Sequence, residues 1–89
     1  MPYISRSGHQ LTVDCKCRPP DMPRAVEVEL FRTEISDGDS ITVVNASSLT
    51  PECWASIATF AELARVWTES GAVAFSCLGP PRILLLVFQ

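Results

Sequence analysis

The spacing of apolar and polar positions changes character several times along the chain. Gln10 to Cys17 alternates, with Leu11, Val13, Cys15 and Cys17 on one side and Thr12, Asp14 and Lys16 on the other. A period of two predicts a half-buried strand. Residues 1–9 before it read as a loose arm or a short edge strand. Arg18-Pro19-Pro20-Asp21-Met22-Pro23-Arg24 is a stiff loop, because its three prolines lack the N–H that a sheet ladder needs. Ala25 to Ile35 reads as a second strand, with Val26, Val28 and Leu30 opposite Glu27, Glu29 and Phe31. Asp37-Gly38 then signals a hairpin, since glycine accepts the positive φ of such turns, and Ile41 to Ala46 is the return strand.

A helix follows. Thr50 suits the N-cap, Pro51 the first helical position, and Glu52 the positive end of the helix; Gly71 suits the residue just past the C-terminus. Cys53, Ile57, Phe60, Ala64 and Trp67 fall on one stripe, which predicts an amphipathic helix over 51–70. Strands at Ala72–Leu78 and Arg82–Phe88 flank a Gly79-Pro80-Pro81 turn. The expected order is β-β-β-α-β-β. The expected fold class is α+β, a two-layer sandwich with one helix packed on a mostly antiparallel five-strand sheet.

The last strand is the informative one. Ile83-Leu84-Leu85-Leu86-Val87-Phe88 is a run of large apolar residues, so neither face of that strand is polar. One helix covers one face of a sheet. The other face then carries either Ile83, Leu85 and Val87 or Leu84, Leu86 and Phe88. It is covered by the N-terminal arm with Tyr3 and Ile4, or it meets a partner or a second copy of the chain. Each large apolar side chain left in water forfeits about 1.5–3 kcal/mol, which is costly for a small domain.

Composition narrows the function classes. Eighty-nine residues make a single domain, 1–89. The net charge is −3, with one lysine and scattered arginines, so direct nucleic-acid binding is not expected. The first residues lack an apolar segment of the secretory kind, and the longest apolar run is too short to span a bilayer. The expected setting is cytoplasmic, with reduced thiols and no membrane association.

Candidate chemistry is sparse. Cys15, Cys17, Cys53 and Cys77 would form a zinc site if the fold brought them together, but their spacing is not that of a zinc ribbon, and core thiols are the plainer reading. Cys53 in the first helical turn sits where a thiol is activated, yet His9 is the only histidine and lies on the arm. No cofactor is expected. Arg18, Arg24 and Arg82 flank the proline loops and would make a rigid basic rim if those loops share one end of the sheet. Trp54 lies beside the helix stripe, and Trp is common at binding hot spots. Glu27, Glu29, Asp37 and Asp39 are candidates for contact with a basic groove on a target.

The sequence therefore points to a small non-enzymatic protein-interaction module. Such a chain would bind and inhibit a macromolecular partner, with a protein partner expected and a homodimer considered. A phage or mobile-element antagonist of a host defence complex, such as an anti-CRISPR, is the setting suggested by size and acidity alone. One alternative is a zinc- or thiol-dependent regulator or enzyme centred on the cysteines. Another is an RNA-binding α+β module using Phe31 and Phe75 as stacking platforms, for which the charge is wrong.

Overall fold

The structure is a computed structural model that describes residues 2–77, 79 and 81–89, without the side chains of residues 59–61. Strands β1 (Ile4–Ser7) and β2 (Gln10–Asp14) lead through a 3-10 turn at Cys15–Cys17 to helix α1 (Arg24–Glu34). Strand β3 (Ser40–Val44), a 3-10 turn at Ala46–Ser48 and helix α2 (Pro51–Ala61) follow. Strands β4 (Leu63–Glu69), β5 (Ala72–Cys77) and β6 (Leu84–Phe88) complete a small α+β fold with one six-stranded sheet and two helices.

The sheet order is β1-β2-β3-β6-β5-β4. β2, β3 and β6 run parallel, while β1 and the β4–β5 hairpin are antiparallel additions at the two sides. The expected single helix on five strands is thus corrected to two helices on six, in a mixed sheet with three of its five pairings antiparallel. Parallel neighbours need a crossover connection, usually helical, and α1 supplies it between β2 and β3.

Two segments account for the difference. The first is Ala25–Ile35, expected as a strand. Its Val-x-Val-x-Leu alternation left Phe31 among the glutamates. The helical spacing Glu27, Phe31, Ile35 puts all three on one inner face, where each is buried. Asp37-Gly38 consequently turns the chain from α1 into β3, with Gly38 at φ 84, and is not a hairpin loop.

The second is the helix over 51–70. α2 stops at Ala61, where Glu62 takes a left-handed conformation at φ 48, and β4 begins. Val66, Trp67 and Thr68 favour the pleated strand. Ser70 and Gly71, with φ of 36 and 79, form the two-residue loop of the β4–β5 hairpin, since Glu69 pairs with Ala72. Cys53 and Ile57 of the expected stripe are buried, Ala64 and Trp67 belong to β4, and Phe60 lies outside the described side chains. Leu78 and Pro80 also lie outside the described residues, so the expected strand end and proline turn there are not placed. One further expectation shifts by a few residues: β2 ends at Asp14, before Cys15 and Cys17. Within residues 1–9 the chain forms the short edge strand β1, one of its two expected forms.

Both helices pack on one face. Leu11, Val13, Ile41, Val43, Leu85 and Val87 point to that side and form one core with Phe31, Ile35 and Ile57. β6 lies between β3 and β5 as an interior strand. Tyr3 is buried in the core and Ile4 packs against it, so the arm does not cross the back of the sheet.

One loop stitches the β1–β2 turn, the end of α1 and the entry to β6. Asp39 is 2% exposed and accepts hydrogen bonds from Arg6 Nη1 at 2.9 Å, Arg6 Nη2 at 2.7 Å and the Ser36 amide at 2.8 Å. Arg6 also donates to the Glu34 carbonyl, and His9 Nδ1 lies 3.5 Å from Asp39. The Gly38 amide donates to the Arg82 carbonyl at 2.7 Å, and the Leu84 amide to the Asp39 carbonyl at 3.1 Å. The Arg6 hydrogen bonds, helped by the Ser36 amide and the Arg6 charge, hold the Asp39 carboxyl at about 2 despite its burial.

Two outcomes follow from this architecture. The folded Asp39 value lies below the roughly 4 of an unfolded aspartate, so its contribution is complete above about pH 4 and is lost as the pH falls through 2. Asp39→Asn is expected to cost on the order of 2 kcal/mol at neutral pH, and its gap from wild type should close between about pH 4 and 2 in urea titrations at each pH. A chain ending at Pro81 lacks β6 and splits the sheet between β3 and β5. It should lose its amide NMR dispersion and sheet circular dichroism; a folded truncated protein would mean that β6 is dispensable.

Candidate binding surface

The face of the sheet away from the helices carries no covering element among the described residues. One transverse row shows its character. Ser5, Thr12, Thr42, Leu86, Ala74 and Trp67 are successive cross-strand partners. Hydroxyls occupy the β1–β3 half, and apolar groups the β6–β5–β4 half. Leu84 and Phe88 extend the apolar half along β6; Leu84 is 49% exposed and Trp67 42%. Ala72 and Ala74 are nearly buried because larger neighbours flank them: Phe88 beside Ala72, Leu86 and Trp67 beside Ala74.

A bulge aims Trp67. Leu63 and Arg65 pair with Cys77 and Phe75 on the helix side, and strict alternation would put Trp67 there too. The register shifts between Arg65 and Trp67, leaving Val66 as the extra residue and turning Trp67 onto the bare face opposite Ala74. Sequence reasoning placed Trp67 on a helix and missed it. The cue was the β-favouring Val66-Trp67-Thr68 run ahead of a turn-forming Ser70-Gly71 pair.

The residues expected to bind a partner are dispersed. Arg18 and Arg24 follow the C-terminal end of β2, whereas Arg82 precedes the N-terminal end of β6. β2 and β6 are parallel, so the two loops occupy opposite ends of the sheet and form no common rim. Arg24 and Arg82 are exposed. Of the four acidic candidates, Glu29 is exposed on α1 and Asp37 accepts the Arg82 amide at 2.7 Å. Glu27 and Asp39 are inside the fold and do not present a charge to solvent. Trp54 is half-buried with its ring 5.8 Å from that of Phe75, edge to face. Together with Val73 and Arg65 they line an open groove of about 370 Å³ beside α2.

The buried polar residues form a second cluster on the helix side. Glu27 is fully buried; its Oε2 accepts from Tyr3 Oη at 3.0 Å and from Arg18 Nε. Burial pushes the Glu27 carboxyl up, but the bonds from Arg18, Cys53 and Tyr3 and the Arg18 charge outweigh it, so the group is held below its ordinary value. Oε1 has no hydrogen-bond partner among the described residues, and the Cys53 thiol bears on the carboxylate as a whole. Cys53 is not activated by its place in the first turn of α2. Burial, then the adjacent Glu27, push its thiol up, and burial takes Cys15 to about 11.

The cysteines do not assemble. Cys17 donates to Asp14 Oδ2 at 3.7 Å, Cys77 donates to the Gly79 carbonyl at 3.0 Å, and Cys53 lies by Glu27. All four are free thiols, and among the described residues no group of three or more His, Cys, Asp or Glu is arranged to hold a metal. No helix among the described residues is long and apolar enough to cross a membrane.

The Arg18–Glu27 pair is structural, which a set of variants checks. Arg18→Met strands the Glu27 charge and is expected to cost about 3–5 kcal/mol in urea unfolding. Replacing the whole cluster with Tyr3→Phe, Arg18→Met and Glu27→Leu should recover most of that loss, because no buried charge is left unpaired. A triple variant as unstable as the single one would show that the ionic contacts themselves hold the fold.

No known protein family matches the chain, and no curated protein and no solved structure is similar to it.

Proposed function

We propose that this protein is a non-enzymatic protein-binding module, with the bare face of the sheet as the surface through which it associates with another protein chain. The observation that carries this is the apolar half of that face, where Trp67 and Leu84 stand exposed beside Leu86 and Phe88. Contiguous exposed apolar surface on a small domain marks an interaction site, because leaving it in water forfeits burial energy that the domain needs. Burial of Glu27 and Asp39 in ion pairs supports the same reading, since these carboxylates serve the fold. The strand register places no Lys or Arg on the bare face, which favours a protein over a nucleic acid. Inhibition of a macromolecular complex, including a host defence complex targeted by a phage or mobile element, is the setting we propose for a small acidic binder of this kind.

Paired capture tests the surface. Wild type and Leu84→Lys are immobilised, and the proteins each retains from an extract of the source cells, further copies of the chain included, are quantified by mass spectrometry. Val26→Lys, on the exposed outer side of α1, is the control. At least one protein should be retained by wild type and Val26→Lys and be depleted about tenfold by Leu84→Lys, as for a charge placed in an apolar contact. Identical sets from all three would sink the assignment of the bare face.

A further inference from the structure

Three features of the bare face bear on what occupies it. The first is charge. The strand centres of the face carry only hydroxyl and apolar side chains, and its acidic groups, Asp14 and Glu69, lie at strand ends. A second copy approaching face to face meets no like charge at the centre, although the chain as a whole is acidic. The second is self-complementarity. A two-fold axis parallel to the sheet and perpendicular to its strands lays all six strands of one copy over those of the other, apolar half on apolar half, so that Trp67, Leu84 and Leu86 meet the same set, which an isologous contact requires. The third is size. Six strands about 4.8 Å apart and five residues of about 3.3 Å give a flat footprint of roughly 480 Å². Two such faces bury on the order of 1,000 Å² before side-chain relief is counted, the threshold of a specific interface.

We infer that the occupant is a second copy of this chain, forming a homodimer in which two sheets pack through their bare faces with α1 and α2 outermost. The inference rests on the bare face being the association surface. The apolar side chains of the two faces interdigitate across about 10 Å, as sheets do when stacked. The bulge at Val66 is part of the device, because it turns Trp67 into the contact. The hydroxyl half, with Thr12 and Thr42, forms the wetter margin.

Sedimentation equilibrium on the full chain at about 100 µM, a concentration suited to a contact near the lower size limit, tests this together with binding of the apolar dye anilinonaphthalene sulfonate. Leu84→Lys changes a half-exposed side chain and keeps the core intact, and Val26→Lys controls for loss of surface apolarity elsewhere. The expected result is a dimer for wild type and Val26→Lys, with the dissociation constant raised about tenfold or more by Leu84→Lys. Tryptophan fluorescence should shift on dilution through Trp67, and in Leu84→Lys the shift should move to at least about tenfold higher concentration. A dimer untouched by Leu84→Lys overturns the proposal. A wild-type monomer that binds the dye, with binding lost in Leu84→Lys, overturns the second copy as occupant and leaves the bare face as a site for another protein. A monomer whose dye binding ignores Leu84→Lys overturns both readings.

Discussion

The fold depends on β6 having a partner on each edge. Its ladder to β3 joins it to the parallel unit β2–α1–β3, and its ladder to β5 joins it to the β4–β5 hairpin. Without it the chain is two sheet fragments. Its side chains alternate, so Leu85 and Val87 enter the core while Leu84, Leu86 and Phe88 emerge on the back. The chain spends its helical residues, α1 and α2, on one side. Covering one face of an interior apolar strand leaves the other bare, a consequence of that arithmetic of layers.

Buried ion pairs hold the helical layer to the sheet margin at both ends of the edge strand β1. At one end Arg6 reaches Asp39 and the Glu34 carbonyl; at the other Tyr3 reaches Glu27, which also receives Arg18. An edge strand has one ladder only, so these side-chain contacts supply anchorage that backbone pairing does not. Removing one partner of such a pair costs more than the pair itself contributes, because a buried charge is then stranded. The same economy separates the surfaces by chemistry: charges gather within and around the helical layer, and the back of the sheet is left uncharged at its centre.

Several elements were legible in the residues themselves. Local signals that do not depend on distant contacts were read correctly: the alternation of β2, the proline loop, the Thr50-Pro51-Glu52 helix start, and the two apolar strands near the end. The need for cover on the second side of Ile83–Phe88 was legible too, because six consecutive apolar residues have no polar face in any extended register. What the binding candidates lacked was a partner in space. Glu27 reads as solvated until Arg18 and Tyr3 are beside it, and Arg18 reads as a recognition residue until it is spent on Glu27.

The sequence by itself determined that this chain has a strand too apolar for a one-sided sheet, a helix after Thr50, and a net charge of −3 with its few basic residues scattered. Only the tertiary structure decided that Ala25–Ile35 is helical, that the second helix gives way at Glu62, and that Trp67 faces outward. The reason is the same in each case. Val, Leu and Trp are compatible with either period over ten residues, and propensities differ by less than about 1 kcal/mol per residue. Burying Phe31 and Ile35 on one face is worth more than that, and so is giving β6 a neighbour on each edge, so packing chooses the period.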